Sequence, residues 1–504
     1  MQAQPISLQA GRMKSIKRNG HTLQKLRENV HFEQSGSNVY CDEAEYDPIS
    51  EDLHGSGNVR IINPDGAIVT GKSLDYNNTN HKARVSGNVK LVDGSMELLT
   101  PWIEYNTANK LGWYGNGGNI VDKETLLSSR SGSYNSAKKT LFFKNQVVLT
   151  TPEYTVKTDT LQYQTDSKKA LFFSLTQLDY LNTIVIFKRG WYNTLLQLGE
   201  FYGDVGLFDP GKIVICDTLV FNKISEIGLA SGDVYSIDTM EHLQVWGQHA
   251  KYCGKEKIIS IWDQALAFQG KDQNVLQIKA DTLHYFSDSS KSLAFKAIHN
   301  VAFRQGTLTG TCNLLKSLRS DSTFYFSGNP VLWDSTLSRL SGDSIEMKVV
   351  QNLIKTLRTF PNAFVSILED SLYFSQVKGD SIQQEFNNKQ QIEKVKVFNN
   401  AESIYYLREN DTLQTVNCIT SKNIEFGFKK NTIHQITLYH KPQGILYPLD
   451  QFPIDKQKLK GFKWDIQNKP NKQTFFSSFK PLIPSLPYPK TPTIQTPRKK
   501  ESKR

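Results

Sequence analysis

The sequence predicts an all-β protein built as an elongated stack of similar units of about 29 residues. Two independent patterns recur in step along the first half of the chain. One is a series of aromatic residues separated by 29 or 30 positions, namely Tyr46, Tyr76, Tyr105, Tyr134, Tyr163, Tyr192 and Phe221. The other is a Gly-Asn-Val-like triplet between them, which starts at Gly57, Gly87, Gly118, Gly203 and Gly232. A fixed period of this size is typical of repeat proteins in which each unit contacts mainly its neighbours.

Apolar and polar residues alternate around each aromatic position, as expected for a strand with one buried face. In residues 160–163, for example, Leu161 and Tyr163 are separated by a polar residue. A further apolar residue stands seven positions before the aromatic. Because side chains alternate between the two faces of a strand, residues an odd number of positions apart share a face only if the strand reverses its faces between them. The position five before the aromatic is small, as in Cys41, Gly71, Thr100, Ser129, Thr158 and Cys216. We therefore expect a β-bulge or sharp bend there, which carries the chain from one sheet to another in every unit.

Charge is concentrated at one end of the chain. The net charge of the 504 residues is +11, but residues 441–504 contain fourteen Lys/Arg against four Asp/Glu. The near-neutral body argues against a nucleic-acid partner. Six prolines between Pro481 and Pro497 predict a disordered basic tail. That tail is either simply solvated or attracted to an anionic surface.

The sequence contains no run of about 18 apolar residues, so no membrane-spanning helix is expected. Residues 1–20 contain no apolar stretch of signal-peptide length. Two explanations stay open: the protein is cytosolic, or its numbering begins after a removed signal peptide. The five cysteines are odd in number and widely spaced, which predicts no disulfide framework.

Motifs of known catalytic chemistry are missing from the sequence, including the Gly-x-Ser-x-Gly and His-Glu-x-x-His patterns. The nearest approach to a metal-binding cluster is His242, His249 and Cys253, which is more often incidental in a β unit. An aspartate recurs once per repeat, which favours a role in turns or caps over catalysis; the examples are Asp159, Asp217, Asp281 and Asp343. We therefore expect no enzyme activity, no cofactor and no metal.

The alternation assigns a set of apolar side chains to the space between the two sheets. They form an ordinary core if the sheets close tightly, or a continuous groove suited to acyl chains if the sheets splay apart. The inward-facing set is Val59, Ile61, Leu74, Tyr76, Val89, Leu91, Ile103, Tyr105, Leu161 and Tyr163. For each of them, core packing and lipid contact are both open.

The triplets, the aromatic strand ends and the 29-residue period resemble the OstA-like (organic solvent tolerance) family. The resemblance is clearest from Arg27 to about Leu175 and fades beyond about residue 240. It implies a twisted β-jellyroll of V-shaped units. The expected organisation is an N-terminal extension (1–26), an OstA-like jellyroll (27–180), divergent repeats (181–440), a basic connecting segment (441–480) and the disordered tail (481–504).

The resemblance also implies a function. The family includes lipopolysaccharide-transport proteins whose inner face holds lipid A acyl chains and which join related jellyrolls end to end. It therefore implies a periplasmic location, possibly at the outer membrane, and partners of the same shape or a second copy of this chain. The alternatives are a structural or adaptor protein of the cell envelope with a closed core, and a carbohydrate-active β-solenoid enzyme. The second alternative is disfavoured because no singular carboxylate cluster stands out.

Overall fold

The structure is a computed structural model, and it describes eleven stretches of the chain. They are residues 7–18, 20–34, 36–270, 275–286, 293–318, 322–335, 337–351, 353–370, 372–409, 412–429 and 432–476. The tail predicted for residues 481–504 lies outside them.

The described residues form 38 strands, three short 3-10 helices and one α-helix. The strands are β1 Ser7–Gln9, β2 Arg12–Arg18, β3 His21–Gln34, β4 Ser37–Asp47, β5 Asp52–Ile62, β6 Ile68–Asn77, β7 Lys82–Asp93, β8 Met96–Asn106, β9 Leu111–Tyr114, β10 Gly118–Asp122, β11 Thr125–Ser129, β12 Ser131–Asn135, β13 Thr140–Thr150, β14 Tyr154–Gln164, β15 Lys169–Phe172, β16 Thr176–Tyr180, β17 Thr183–Phe187, β18 Arg189–Asn193, β19 Leu198–Asp209, β20 Lys212–Asn222, β21 Ile227–Asp238, β22 Leu243–Cys253, β23 Ile258–Gln269, β24 Leu276–Phe286, β25 Leu293–Gln305, β26 Leu308–Leu318, β27 Thr323–Ser327, β28 Val331–Trp333, β29 Ser338–Ser341, β30 Ser344–Val350, β31 Leu353–Phe360, β32 Ala363–Leu368, β33 Phe374–Gly379, β34 Ser381–Phe386, β35 Ile392–Glu409, β36 Thr412–Lys429, β37 Thr432–Tyr439 and β38 Gln443–Pro448. The 3-10 helices are Leu449–Gln451, Ile454–Lys456 and Ile466–Asn468, and the α-helix is α1 Lys472–Phe476.

The strands pair antiparallel with their neighbours along the chain and form one continuous sheet. The all-β prediction is confirmed. Where the sequence suggested two sheets joined by bends, the structure shows two arms of a single folded sheet, because each long strand crosses from one arm to the other. Strand β6 illustrates this, with residues 68–71 in the first arm (arm 1) and residues 73–77 in the second (arm 2). One repeat of about 29 residues is therefore one hairpin of two crossing strands.

The corner between the arms is made by the Gly-Asn pairs of the second sequence pattern, except that in the unit of Gly118-Asn119 the left-handed residues are Asn116 and Gly117. The β5–β6 pairing skips register between Ser56 and Val59, and the intervening Gly57 and Asn58 have φ angles of 74° and 42°. Successive left-handed residues reverse the faces of the strand, and Gly and Asn are the residues that adopt this conformation most readily. The same pair recurs as Gly87-Asn88, Gly203-Asp204, Gly232-Asp233 and Asn399-Asn400.

The recurring aspartate fastens this corner. Asn58 Nδ2 donates a 2.8 Å hydrogen bond to Asp42 Oδ2 on the neighbouring strand. Two of the aspartates predicted to act in turns have the same role, since Asp281 accepts a bond from Asn300 and Asp343 accepts one from Asn362. Their recurrence reflects the geometry of the repeat.

The predicted bend is confirmed, but its left-handed residues lie on the strand opposite the small residue. Register skips from Thr70 to Ser73 on β6, and the interval contains Gly71. Burial follows the expected reversal, because Val69 and Leu74 are both buried although five positions separate them. The small residue is thus the inner lining of the corner, while the Gly-Asn pair supplies the backbone reversal.

Several crossing strands are interrupted at the corner, so that two short strands replace one long one. Tyr114 ends β9 and Gly118 begins β10, with the glycine-rich stretch predicted as a turn between them. Both short strands pair with β8, one along each arm. The sheet therefore stays continuous through the interruption.

Hairpin turns line the open side of the V, and those of arm 2 are stacked on one another. Asn106 Oδ1 accepts hydrogen bonds from the backbone N–H groups of Ala108 and Asn109, which closes the turn. The Thr107 N–H then donates to the His81 carbonyl of the preceding turn at 2.9 Å. We call the two rows of turns the rims of arm 1 and arm 2, and the gap between them the mouth.

Inward side chains of the two arms pack against each other along the stack. One cluster of buried residues includes Leu26, Val59 and Val89, and a second extends from Leu98 to Phe426. Leu91 and Ile103 contact both clusters, so the apolar interior is continuous. The core thus extends along the stack and has no single centre.

Residues 449–476, which we call the C-terminal strap, turn back and run along the outer face of arm 1. Phe452 packs with Ile404 and Tyr406 of β35, and further along Phe462 meets Phe364 of β32 at a ring distance of 6.4 Å. The strap ends with Phe475, which is 1% exposed and packs against strands β23 and β25. The segment interpreted from sequence as a basic connection therefore covers part of the sheet.

Polar contacts hold the strap at intermediate points. Arg339 of β29 is 4% exposed, and its Nε donates a 2.6 Å hydrogen bond to Asp465 Oδ1. Gln376, which is fully buried, donates to the Gln457 carbonyl and accepts from the Leu459 N–H. Because the strap covers the outer face, strands such as β32 are buried on both faces, with four consecutive buried residues at 363–366.

Candidate lipid-binding interior

The ten side chains predicted to face inward lie at two depths. Those near the corner are almost completely buried, with Val59 1%, Leu74 2%, Val89 0% and Leu161 2% exposed. The others are partly exposed and lie closer to the rims: Ile61, Tyr76, Leu91, Ile103, Tyr105 and Tyr163. Whether either group contacts lipid stays a prediction.

The interior is tightly packed at strands β22–β25. The gap between the arms at strands β22–β25 has a volume of about 40 Å³ and is lined by apolar groups such as Val245, Ile261 and Ile278. A larger hollow of about 590 Å³ lies at the interrupted corner near Leu99 and Arg130, but it is open to solvent and outside the packed interior. An acyl chain can therefore enter this gap only if the arms move apart there.

The mouth is closed at one point by an ion pair between the rims. Glu153 belongs to the arm 1 turn between β13 and β14, and Lys223 to the arm 2 turn that follows β20. Lys223 Nζ lies 2.6 Å from Glu153 Oε2 and 5.4 Å from the centre of the Tyr180 ring. Glu153 raises the pKa of the Lys223 ammonium by hydrogen bonding to it.

Tyrosines from both arms lie beneath this ion pair. Tyr154 is at the start of β14 on arm 1, while Tyr163 and Tyr192 are on arm 2, and all three pack against the core. Burial, together with the neighbouring Tyr192 and Tyr163 phenols, raises the pKa of Tyr154. Burial also raises the pKa of Tyr192. The predicted inward residue Tyr163 thus lies in the closed part of the mouth.

Cysteines line the inner corner, as expected for small bend residues. Cys41 and Cys216 are buried there, and burial raises their thiol pKa to about 11 and about 12. Burial likewise raises the pKa of Cys312 to about 12. All three are free thiols. Their place in the packing accounts for them without redox chemistry.

His249, one of the residues weighed for a metal cluster, stacks on Trp262 at 5.7 Å between ring centres. Its Nε2 lies 3.6 Å from Asp263 Oδ2. Within the stretches that the structure describes, no three His, Cys, Asp or Glu side chains come together as a metal site. No helix in those stretches is long and apolar enough to cross a membrane.

Sequence reasoning did not identify Glu153, Lys223 or Tyr154. Their contact joins residues 70 positions apart, and a period of 29 residues predicts contacts only between neighbouring units. The signal is absent from the sequence because the contact depends on the twist of the folded sheet, which offsets the two rims.

Comparison with known proteins supports the resemblance for the first part of the chain. Residues 5–159 match the model of the family described as OstA-like protein. The N-terminal third of the chain resembles the OstA-like family. This OstA-like region contains eight of the ten predicted inward residues, and Leu161 and Tyr163 follow directly after it.

No curated protein matches the sequence. Among solved structures, one that aligns is LptH, the LptA homologous periplasmic component of the conserved lipopolysaccharide transport device from Pseudomonas aeruginosa. The identity is 14% and the TM-score 0.19, and the alignment covers 20% of this chain and 77% of that one. A similarity of this size does not bear on function.

Proposed function

We propose that the protein is a non-enzymatic lipopolysaccharide-binding bridge or carrier. It shields acyl chains between its two arms while they cross the periplasm to the outer membrane. The observation that carries this proposal is the unbroken apolar interior, which begins in the OstA-like region and continues through the later repeats. Once the two arms separate, this interior becomes a long apolar slot that matches the shape of acyl chains, which have no polar groups to satisfy.

The half-buried side chains are the proposed contact points. Tyr76 and Tyr105 stand at equivalent positions of successive units, and each combines an apolar ring with a polar hydroxyl near the rim. Tyrosine is suited to a boundary between apolar chains and a polar headgroup. Deeper residues such as Val89 stay in the permanent core.

Loading requires the arms to separate. The gap at β22–β25 has a volume of about 40 Å³, whereas ligand pockets typically have about 300–1,000 Å³. The same gap favours the second candidate function, a structural or adaptor protein of the cell envelope whose interior stays closed. Both functions use the same fold, and they differ in whether the arms open.

The two ends of the sheet suit partners of the same architecture. Strands β1 and β2 pair only with β3 at one end, and β37 and β38 only with β36 at the other, within the described residues. The outer edges of these strands can accept another strand by β-augmentation. We propose other jellyroll proteins of lipopolysaccharide transport, or a second copy of this chain, as the occupants.

Photo-crosslinking tests the carrier function. The protein carries benzoylphenylalanine at position 76 or 105, and purified lipopolysaccharide is added before illumination. We expect crosslinks at both positions, together with lipid A species in the mass spectrum of the purified protein. The matched control is position 75, because Asp75 is the neighbour of Tyr76 and its side chain is 59% exposed on the outer face.

Three outcomes are distinguished. Crosslinks at Tyr76 and Tyr105 without one at Asp75 support lipid contact inside the V. Equal crosslinking at all three positions indicates non-specific adsorption and contradicts the proposal. No crosslink and no recovered lipid support the closed adaptor.

A further inference from the structure

The contact between Glu153 and Lys223 joins rims that are distant along the chain. Glu153 follows β13, whereas Lys223 follows β20, and the two residues are 70 positions apart. The strands of a sheet twist progressively. This twist brings the arm 2 turn of a later unit over the arm 1 turn of an earlier one, so the pair spans the mouth.

Ion pairs along one arm have a different geometry. Lys90 and Glu97 are 2.7 Å apart on the paired strands β7 and β8 of arm 1. Lys157 and Asp179 are 3.4 Å apart on β14 and β16 of the same arm. These pairs connect strands that are already hydrogen-bonded, and they do not restrain the separation of the arms.

Aromatic side chains occupy the space beneath the Glu153–Lys223 pair. Tyr154 of arm 1 and Tyr163 and Tyr192 of arm 2 pack against the same apolar cluster, and the Tyr180 ring of arm 1 lies 5.4 Å from Lys223 Nζ. Behind them the core is completely buried, with Leu161 2% exposed. Separation of the rims at this point would expose an aromatic entrance to the apolar interior.

The pair itself is weak enough to open reversibly. The Lys223 side chain is 35% exposed and that of Glu153 is 61% exposed. Exposed ion pairs are screened by salt and stabilise a fold only slightly. A ligand with a stronger anion can therefore replace the Glu153 carboxylate.

We propose that the Glu153–Lys223 pair is a latch across the mouth, which opens when the phosphate of an anionic amphiphile takes Lys223. This proposal rests on the proposed carrier function and adds how the interior is opened. A phosphate monoester carries more charge than a carboxylate and offers three acceptor oxygens. The acyl chains of the same molecule then occupy the space that the separated arms expose.

The rim of arm 2 provides further sites for the displaced headgroup. Lys110, Lys139 and Lys168 are the last residues of successive turns, where they have φ angles of 59°, 50° and 55°. All three are exposed. They form a row of cations that starts in the OstA-like region and leads towards the latch.

Distance measurements between spin labels test the latch directly. Nitroxides are attached at Pro152→Cys and Ile224→Cys, beside the two latch residues, in a protein where Cys253 and Cys418 are serine. We expect a narrow distance distribution in the parent protein. The distribution should broaden towards longer distances with Glu153→Gln, or on addition of bisphosphorylated lipid A.

Comparisons between ligands and between variants identify the ligand chemistry. Inorganic phosphate should leave the distances unchanged, and dephosphorylated lipid A should associate about two- to fivefold more slowly than the phosphorylated form, as expected for an exposed ion pair. Glu153→Gln should remove most of this difference. Glu97→Gln is the matched control, because it breaks an exposed Glu–Lys pair within one arm and should change neither reading.

Failure of the latch and failure of the carrier function give different results. Unchanged distances and lipid association in Glu153→Gln overturn the latch, even if the protein binds lipid. Opening by inorganic phosphate alone overturns the amphiphile as the ligand. If the mouth widens in Glu153→Gln but no variant binds lipid, the ion pair is still a restraint on the arms. That result overturns the carrier function and the proposed ligand.

Discussion

Substitution of Gly71 tests how the corner of each unit is filled. A Cβ atom at this position would lie 2.5 Å from Val85 Cγ1 and 3.1 Å from the carbonyl oxygen of Ser86. In the preceding unit the side chain and the glycine are exchanged between the two strands: Cys41 occupies the position of Gly71, and Gly55 occupies that of Val85. A Cβ on Gly55 would meet Cys41 Sγ at 3.2 Å. Each of these two corners thus has room for one side chain, supplied by either strand.

The expected magnitudes follow from this packing. Gly71→Cys adds atoms to a filled core, which costs about 1–3 kcal/mol. Val85→Gly removes a side chain that is 3% exposed and so loses about 1.5–3 kcal/mol of burial. The double variant reproduces the Cys41/Gly55 arrangement. We expect it to be about 2 kcal/mol more stable than the sum of the single changes, within the range measured for contacting residues.

Hydrogen exchange of peptides from residues 68–93 is the suitable assay, because a repeat stack opens locally. A difference of about 2 kcal/mol corresponds to roughly 30-fold in exchange rate. Peptides from residues 198–222 provide the internal control and should be unaffected. Unchanged exchange in Gly71→Cys, or a double variant that exchanges as fast as additivity predicts, would refute the one-side-chain corner.

Three further changes probe the corner, the strap and a buried thiol. Gly87→Ala places a side chain at a φ of 87° with its Cβ 2.7 Å from Lys72 Cβ, so β7 should lose about 1–2 kcal/mol in hydrogen exchange. Asp465→Ala removes the carboxylate partner of the buried Arg339, which keeps its hydrogen bond to Ser341 Oγ, and should cost about 3–5 kcal/mol, seen as rapid proteolysis of the strap. Burial raises the pKa of Cys312 from 9.0 to about 12, so its contribution to stability is complete below pH 9 and lost as the pH rises towards 12. The urea midpoint should fall over that range, and less so in Cys312→Ala.

The sequence predicted the repeat and the corner because both are local properties. Val69 and Leu74 could be assigned to one face from the odd interval between apolar residues, and the small Gly71 between them marked the bend. The position of the backbone reversal, on the strand opposite the small residue, was not predicted, since the sequence around Gly57-Asn58 is typical of an alternating strand. Only the backbone angles show that the reversal occurs there.

The strap and the latch could not be predicted in the same way. Phe475 packs against Leu266 and Ala302, which are far from it in sequence and lie outside the repeat period. One signal was present in hindsight. Outward positions such as Trp246 and Phe268 are aromatic in the later repeats, which indicates that a second layer covers this face.

The strap has a consequence for the order in which the chain folds. Hairpins such as β4–β5 pair only with the strands next to them in the chain, β3 and β6, so they can form one after another while the chain is still being synthesised. The Lys279 ammonium, by contrast, is bonded to the Thr474 carbonyl 195 residues later. Until the strap is synthesised, Leu266 and Ala302 are exposed to solvent on a sheet that has otherwise folded. Exposed apolar surface of this kind is what chaperones bind.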